Sequence, residues 1–183
     1  MPALSQRRGF SSSRVEHLLN QLVAWMPADE MYLEVGVLDG RTLESAGMGN
    51  ANKRLVGCDP GDKYGGHPSG FDPHISFVAK RWQELTTLDI RCPVGLAFYD
   101  GDHSKLSTRE FMVEMKEWAD EAVTVLDDWD RVTVREGAFE AARLDPGWQL
   151  LREMPEYTDG LTTAPHHFGY QFGVSVWGWR RGN

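Results

Sequence analysis

Apolar side chains recur at helical spacing over residues 13–26, where Val15, Leu18, Leu19, Leu22, Val23 and Met26 share one stripe, and Ser13 with Glu16 forms a capping-box pair at its start. This pattern predicts an amphipathic helix that needs a sheet to rest on. After the Pro27-Ala28-Asp29 break the period changes: residues 31–35 read as a short strand, Gly36 and Gly40 follow at once, and a helical stretch begins near Thr42. Strand, glycine turn and helix open a βαβ unit. Residues 54–58 and 74–78 predict two more strands, 81–88 a short helix, and the almost wholly apolar run 94–99 a strand buried on both faces. Residues 107–119 predict the best helix, with a capping box in Ser107 and Glu110 and a buried stripe of Phe111, Met112, Met115, Trp118 and Ala119. A strand at 122–126 and a helix at 133–143, started by Thr133 and Glu136, complete the alternation. Residues 148–154 and 172–179 read as two terminal strands with no helix between them. Strand-helix alternation of this kind implies an α/β, doubly wound, Rossmann-like sheet with helices on both faces, and its ligand site lies beyond the carboxyl ends of the strands. Residues 61–73, with four glycines and two prolines, predict a loop over that site where a crossover helix would normally stand.

Composition narrows the partners. The 183 residues are expected to form one domain, with a helical N-terminal segment (1–28) and a core spanning 31–179. With 27 acidic against 19 basic residues and a net charge of −8, the chain lacks the clustered Lys and Arg that phosphate backbones require, so nucleic acid is not an expected partner. Cys58 and Cys92 lack metal-ligand spacing and read as reduced core thiols. Arg7 and Arg8 are followed by no apolar leader, and no run of 18 apolar residues occurs. A cytoplasmic protein with no membrane span is the expectation.

Three clusters carry candidate chemistry. Glu34-Val35-Gly36-Val37-Leu38-Asp39-Gly40-Arg41-Thr42 places two glycines at a helix N-terminus, where backbone can pass close to a ligand. It matches neither the dinucleotide fingerprint nor a phosphate loop, and on its own reads equally as a tight turn. Asp59, at the tip of the second strand about 20 residues on, suits the hydroxyls of a ribose, or else shapes the turn before Pro60. Tyr99-Asp100-Gly101-Asp102-His103 ends the fourth strand and Asp127-Asp128-Trp129 the fifth. If these strands are neighbours, about 4.8 Å apart, Asp100, Asp127 and Asp128 converge on one ion. Oxygen ligands favour Mg²⁺ or Mn²⁺ over zinc, and a cation offsets the repulsion among three carboxylates. The plain alternative is that these aspartates form turns and caps.

Together, Glu34-x-Gly36-x-x-x-Gly40-x-Thr42, Asp59, Asp100-Gly101-Asp102-His103 and Asp127-Asp128 resemble class I S-adenosylmethionine-dependent methyltransferases, and within them the metal-dependent O-methyltransferases of the macrocin and catechol type. The resemblance spans residues 31–179. It implies a seven-stranded sheet of order 3-2-1-4-5-7-6 with the seventh strand antiparallel. It also implies that Glu34, Gly36, Gly40 and Thr42 serve the methionine end of the cofactor, that Asp59 holds the ribose, and that Trp82 and Gln83 border the adenine. Asp100 would lie against the cofactor and, with Asp127 and Asp128, ligate the metal. Asp102 stands where macrocin-type relatives carry the base, with His103 second. The acceptor would be a hydroxyl of a small molecule, a sugar or natural product, enclosed by a homodimer or by the loop near His166 and His167, which by themselves read as surface residues. Trp129 is expected to face the substrate. Two rival readings are a nucleotide-sugar glycosyltransferase using Asp100-Gly101-Asp102 as an Asp-x-Asp motif, and a non-catalytic methyltransferase-like binding subunit.

Overall fold

The computed structural model describes residues 4–7, 9, 11–61, 68–154 and 173–182. Strands β1 (Met31–Val35), β2 (Arg54–Cys58), β3 (Ile75–Val78), β4 (Val94–Tyr99), β5 (Glu121–Leu126), β6 (Trp148–Met154) and β7 (Val174–Arg180) form one sheet in the order β3-β2-β1-β4-β5-β7-β6. β7 runs antiparallel to β5 and β6, and the other pairings are parallel. This is the strand order that the resemblance implies, and it makes β4 and β5 neighbours.

Helices α1 (Ser13–Trp25) and α2 (Arg41–Gly47) cover one face, and α3 (Lys105–Glu114) and α4 (Val132–Leu144) the other. The two-residue period of β1 sorts its side chains between these layers. Met31, Leu33 and Val35 join Phe111, Met112, Val134 and Ala138, whereas Tyr32 joins Val15, Leu19, Val23 and Leu43. Cys58 and Cys92 are free thiols, the first buried and the second half-buried. No helix among the described residues is long and apolar enough to cross a membrane.

Helix starts differ from the sequence reading because competing partners take the capping side chains. Ser12, not Ser13, caps α1 by accepting from the Val15 amide. Glu16, expected to close that capping box, is wholly buried and pairs instead with Arg41. Ser104, three residues before Ser107, caps α3, which passes into a 3₁₀ turn at Met115–Glu117. The helix expected at 81–88 shrinks to one 3₁₀ turn, Trp82–Glu84. There the Thr86 amide and hydroxyl both donate to Asp89 Oδ2, at 2.9 and 3.0 Å, a local bonding pattern that competes with helix. In the expected loop at 61–73, the described residues 61 and 68–73 are non-helical. His166, His167 and Phe172 lie outside the described residues.

Candidate active site at the strand ends

Short backbone bonds gather the carboxyl ends of four strands. Gly36 N donates to Cys58 O at 3.0 Å, Asp100 N to Val35 O at 2.8 Å, and Asp127 N to Tyr99 O at 3.0 Å. The close approach of the chain leaving β1 to the chain leaving its neighbour β4 leaves no room at Gly36: a Cβ there would lie 2.0 Å from the Asp100 carbonyl oxygen, and its φ of +87° belongs to the left-handed region. Gly36→Ala is therefore expected to lower stability by about 3 kcal/mol or more, read as a shift in urea midpoint. A midpoint like that of the unsubstituted protein would refute the close approach at Gly36.

Beyond Gly36 the chain turns through Leu38 to Gly40, whose left-handed backbone caps α2. Asp59 braces this turn from β2. Its Oδ2 accepts from the Leu38 amide at 3.1 Å and its Oδ1 from the Gly61 amide at 2.7 Å. Each oxygen keeps a further lone pair for a hydroxyl of a ligand.

Two residues expected at the methionine end turn inward instead. Glu34 is wholly buried, accepting from Tyr32 Oη at 2.6 Å and from Thr42 Oγ1 at 2.5 Å. Strand alternation places it with Tyr32 under α2, so Glu34 and Thr42 fix the turn from behind. Burial raises the Glu34 carboxyl to about 8, against the two hydroxyl bonds, which lower it. Trp82 likewise packs into the core, edge-on to Phe111 with centroids 5.5 Å apart, whereas Gln83 is exposed.

The acidic cluster sits beside the turn. Burial and the charge of Asp128 push the Asp100 carboxyl well above the usual carboxylate range; burial and the charges of Asp100 and Asp128 do the same to Asp127. Asp127 Oδ1 is buried with no hydrogen-bond partner among the described residues. Asp128 adopts φ +51°, an uncommon backbone for a non-glycine residue and one that Asp tolerates. The three carboxylates meet at one edge, as their strand positions predict, but they do not form a ready-made ligand set. Among the described residues, no group of three or more His, Cys, Asp or Glu side chains is placed to hold a metal ion. Asp128 is drawn to Arg131 Nε at 2.6 Å and to His103 Nδ1 at 3.4 Å.

His103 bridges the cluster, with Nε2 3.2 Å from Asp100 Oδ1. Burial lowers its imidazole pKa, against the pull of Asp128. Asp102, in contrast, is exposed, its Oδ1 accepting from the Ser104 amide and its Oδ2 from the Ser104 hydroxyl, both at 3.1 Å. Trp129 corrects an expectation. Far from facing a substrate, it is 2% exposed, packs on Phe139 and Trp177, and donates from Nε1 to Glu153 at 2.9 Å. The sequence reading passed over Arg131 and Tyr32. Both had a local signal: Arg131 stands three residues after Asp128 at a helix start, and Tyr32 shares a strand face with Glu34.

The sheet order and the four helices are those of S-adenosylmethionine-dependent class I methyltransferases, and this chain has that fold. No family model matches the sequence, and no curated protein matches it. Solved structures do. The O-methyltransferase TomG from Streptomyces achromogenes, in complex with S-adenosylmethionine, superposes with a TM-score of 0.61 at 16% identity, over 99% of this chain and 84% of that one. A precorrin-6y C5,15-methyltransferase from Geobacter metallireducens gives 0.62 at 15% identity, over 92% and 88%. An O-methyltransferase from Bacillus cereus, in complex with S-adenosylhomocysteine, gives 0.56 at 12%, over 91% and 79%. Identities this low speak to the fold.

Proposed function

We propose that this chain is an S-adenosylmethionine-dependent O-methyltransferase that uses a divalent cation, Mg²⁺ or Mn²⁺, to methylate a hydroxyl of a small molecule, a sugar or natural product. The observation that carries the reading is the acidic cluster of Asp100, Asp127 and Asp128, in which Asp128 is ion-paired with Arg131, beside the glycine turn that joins β1 to α2. Asp100 and Asp127 are raised first by burial and then by their like-charged neighbours, and the buried Oδ1 of Asp127 lacks a hydrogen-bond partner among the described residues, an arrangement that a cation would relieve. An all-oxygen donor set fits a hard cation, with Asp128 turning from Arg131 to join it. Such a cation, when bound, would lower the pKa of the acceptor hydroxyl and fix its direction.

The chain's own residues do the rest. The turn from Gly36 to Gly40, whose Gly36, Leu38 and Gly40 amides are bonded internally, faces the methionine end with its remaining backbone, and Asp59 offers its remaining lone pairs to the ribose. Asp102 faces solvent at the start of α3 and takes the hydroxyl proton. S-adenosylmethionine, when bound, would supply the methyl group to the acceptor oxygen, with the electron pair of the carbon–sulfur bond returning to sulfur in the S-adenosylhomocysteine that leaves. Holding oxygen, methyl and sulfur in line is worth roughly 7–11 kcal/mol in well-oriented systems. Exposed Leu106 and Val132, in the first turns of α3 and α4, offer apolar surface at the same end of the sheet. That surface suits a natural-product scaffold.

The test is titration calorimetry with S-adenosylhomocysteine and with sugar nucleotides, together with methyl transfer to a panel of hydroxylated metabolites with and without EDTA. Binding of the first and not the second is expected, with turnover abolished by EDTA and cofactor affinity kept within about threefold. Unchanged turnover in excess EDTA removes the metal from the reading. Binding of sugar nucleotides alone replaces the reading altogether.

A further inference from the structure

Arg7 lies in the segment before α1, outside the βα units, yet its guanidinium reaches three elements around the glycine turn. Nε donates to Glu44 Oε1 of α2 at 3.0 Å, one terminal nitrogen to Ser69 O at 2.8 Å, and the other approaches Asp39 O at 3.5 Å. The guanidinium carbon stands 4.3 Å from the centroid of the Phe71 ring. That ring in turn rests on Gly40, where an added Cβ would lie 2.4 Å from Phe71 Cζ.

The segment carrying Arg7 is itself anchored. Leu4 N donates to Glu16 Oε2 at 2.8 Å, Ser5 N to Ser45 Oγ at 3.0 Å, and Ser5 Oγ to Glu44. Glu16 is wholly buried and bound by Arg41 Nε at 2.6 Å. A buried carboxylate is costly unless paired, so these bonds hold the segment in register against α1 and α2. The planar fork of arginine suits several acceptors in fixed directions while its face lies on an aromatic ring.

The loop that leaves β2 is thus tied to the glycine turn twice, at Gly61 through Asp59 and at residues 69 and 71 through Arg7. We propose that Arg7 is a positioning residue for the methionine end of the cofactor, holding residues 68–71 down on the turn so that both close on the ligand. This inference rests on the methyltransferase reading above. Arg7 touches no reacting atom; it acts through Phe71, Ser69 and Asp39.

The test compares Arg7→Ala and Arg7→Lys with the unsubstituted protein in three measurements: S-adenosylhomocysteine affinity by calorimetry, KM and kcat for S-adenosylmethionine, and exchange over the segment 68–72, read at the amides of Ser69, Gly70, Phe71 and Asp72, in cofactor-free protein. In Arg7→Ala, affinity is expected to weaken about tenfold, KM to rise in proportion, and kcat at saturating cofactor to stay within about twofold. Exchange at 68–72 quickens. Arg7→Lys falls between, since it keeps the charge and ring contact but not the fork, and it gives the comparison if the alanine variant does not fold. Unchanged affinity in a folded variant, unchanged exchange at 68–72, or a fall in kcat at constant KM overturns the assignment. Unsubstituted protein that binds no S-adenosylhomocysteine overturns the methyltransferase reading, and the positioning role with it. Binding that is equal in all three proteins overturns the role of Arg7 alone.

Discussion

Asp102→Asn is expected to lower kcat for methyl transfer by about 10²- to 10⁴-fold, the span a positioned base contributes, while S-adenosylhomocysteine affinity stays within about twofold. The geometry separates Asp102 from its neighbour. Both ring nitrogens of His103 are turned onto carboxylates, Nε2 toward Asp100 and Nδ1 toward Asp128, which leaves neither facing an acceptor. The carboxylate of Asp102 is held in direction by the amide and hydroxyl of Ser104 and stays open to solvent. Asparagine keeps an acceptor for Ser104 but has no basic oxygen, so the loss reports proton transfer and not a disturbed turn. His103→Gln is expected to cost no more than about tenfold, because its work is to separate two like charges. Steady-state kinetics on both variants check the assignment. A large loss in His103→Gln beside a small one in Asp102→Asn transfers the base to His103.

The second large effect concerns stability. Glu34→Ala is expected to destabilise the fold by about 3 kcal/mol, through a cavity in the central strand and two buried hydroxyls, on Tyr32 and Thr42, left without their shared acceptor. Glu34→Gln is expected to cost less than about 1 kcal/mol, because an amide fills the space and either hydroxyl can rotate to accept from it. The pH dependence follows from the direction of the shift. A carboxyl raised from its ordinary 4.5 to about 8 holds its proton more tightly in the folded than in the unfolded chain. It therefore favours the fold most at low pH, and that contribution is lost as pH climbs from about 4.5 through about 8. Asp100 and Asp127 shift in the same direction, so the comparison with Glu34→Gln isolates one carboxyl. Urea midpoints at pH 5, 7 and 9 are expected to fall more steeply for the unsubstituted protein than for Glu34→Gln. Equal slopes would mean that Glu34 does not titrate across this range.

The function of the pair is mechanical. Glu34 joins the central strand to Thr42 in the first turn of α2, and the glycine turn lies between them. A change there is felt at the glycine turn although both side chains are buried.

The sequence alone determined what depends on local period and chain direction. Period marked the seven strands, helical stripes marked α1 and α3, and a capping pair marked α4, because a strand shows its faces every second residue and a helix every third or fourth. Strand order entered through the family resemblance. Once β4 and β5 are neighbours, Asp100, Asp127 and Asp128 must meet, since all three lie within two residues of the ends of their strands. Only the tertiary structure decided the allocation of side chains among competing partners. Ser107 reads as the cap of α3, yet its hydroxyl pairs with Tyr99 Oη and Ser104 caps the helix instead. Trp129 follows two acidic residues and reads as a substrate wall, yet β7 brings Trp177 beneath it and burial follows. Glu16 fits a capping box, yet Arg41, 25 residues on, takes its carboxylate. Arg7 bonds Ser69 across 62 residues and carries no periodic signal at all. Periodicity is a property of neighbours in the chain, whereas ion pairing and burial are settled among neighbours in space, and those exist only once the sheet has closed.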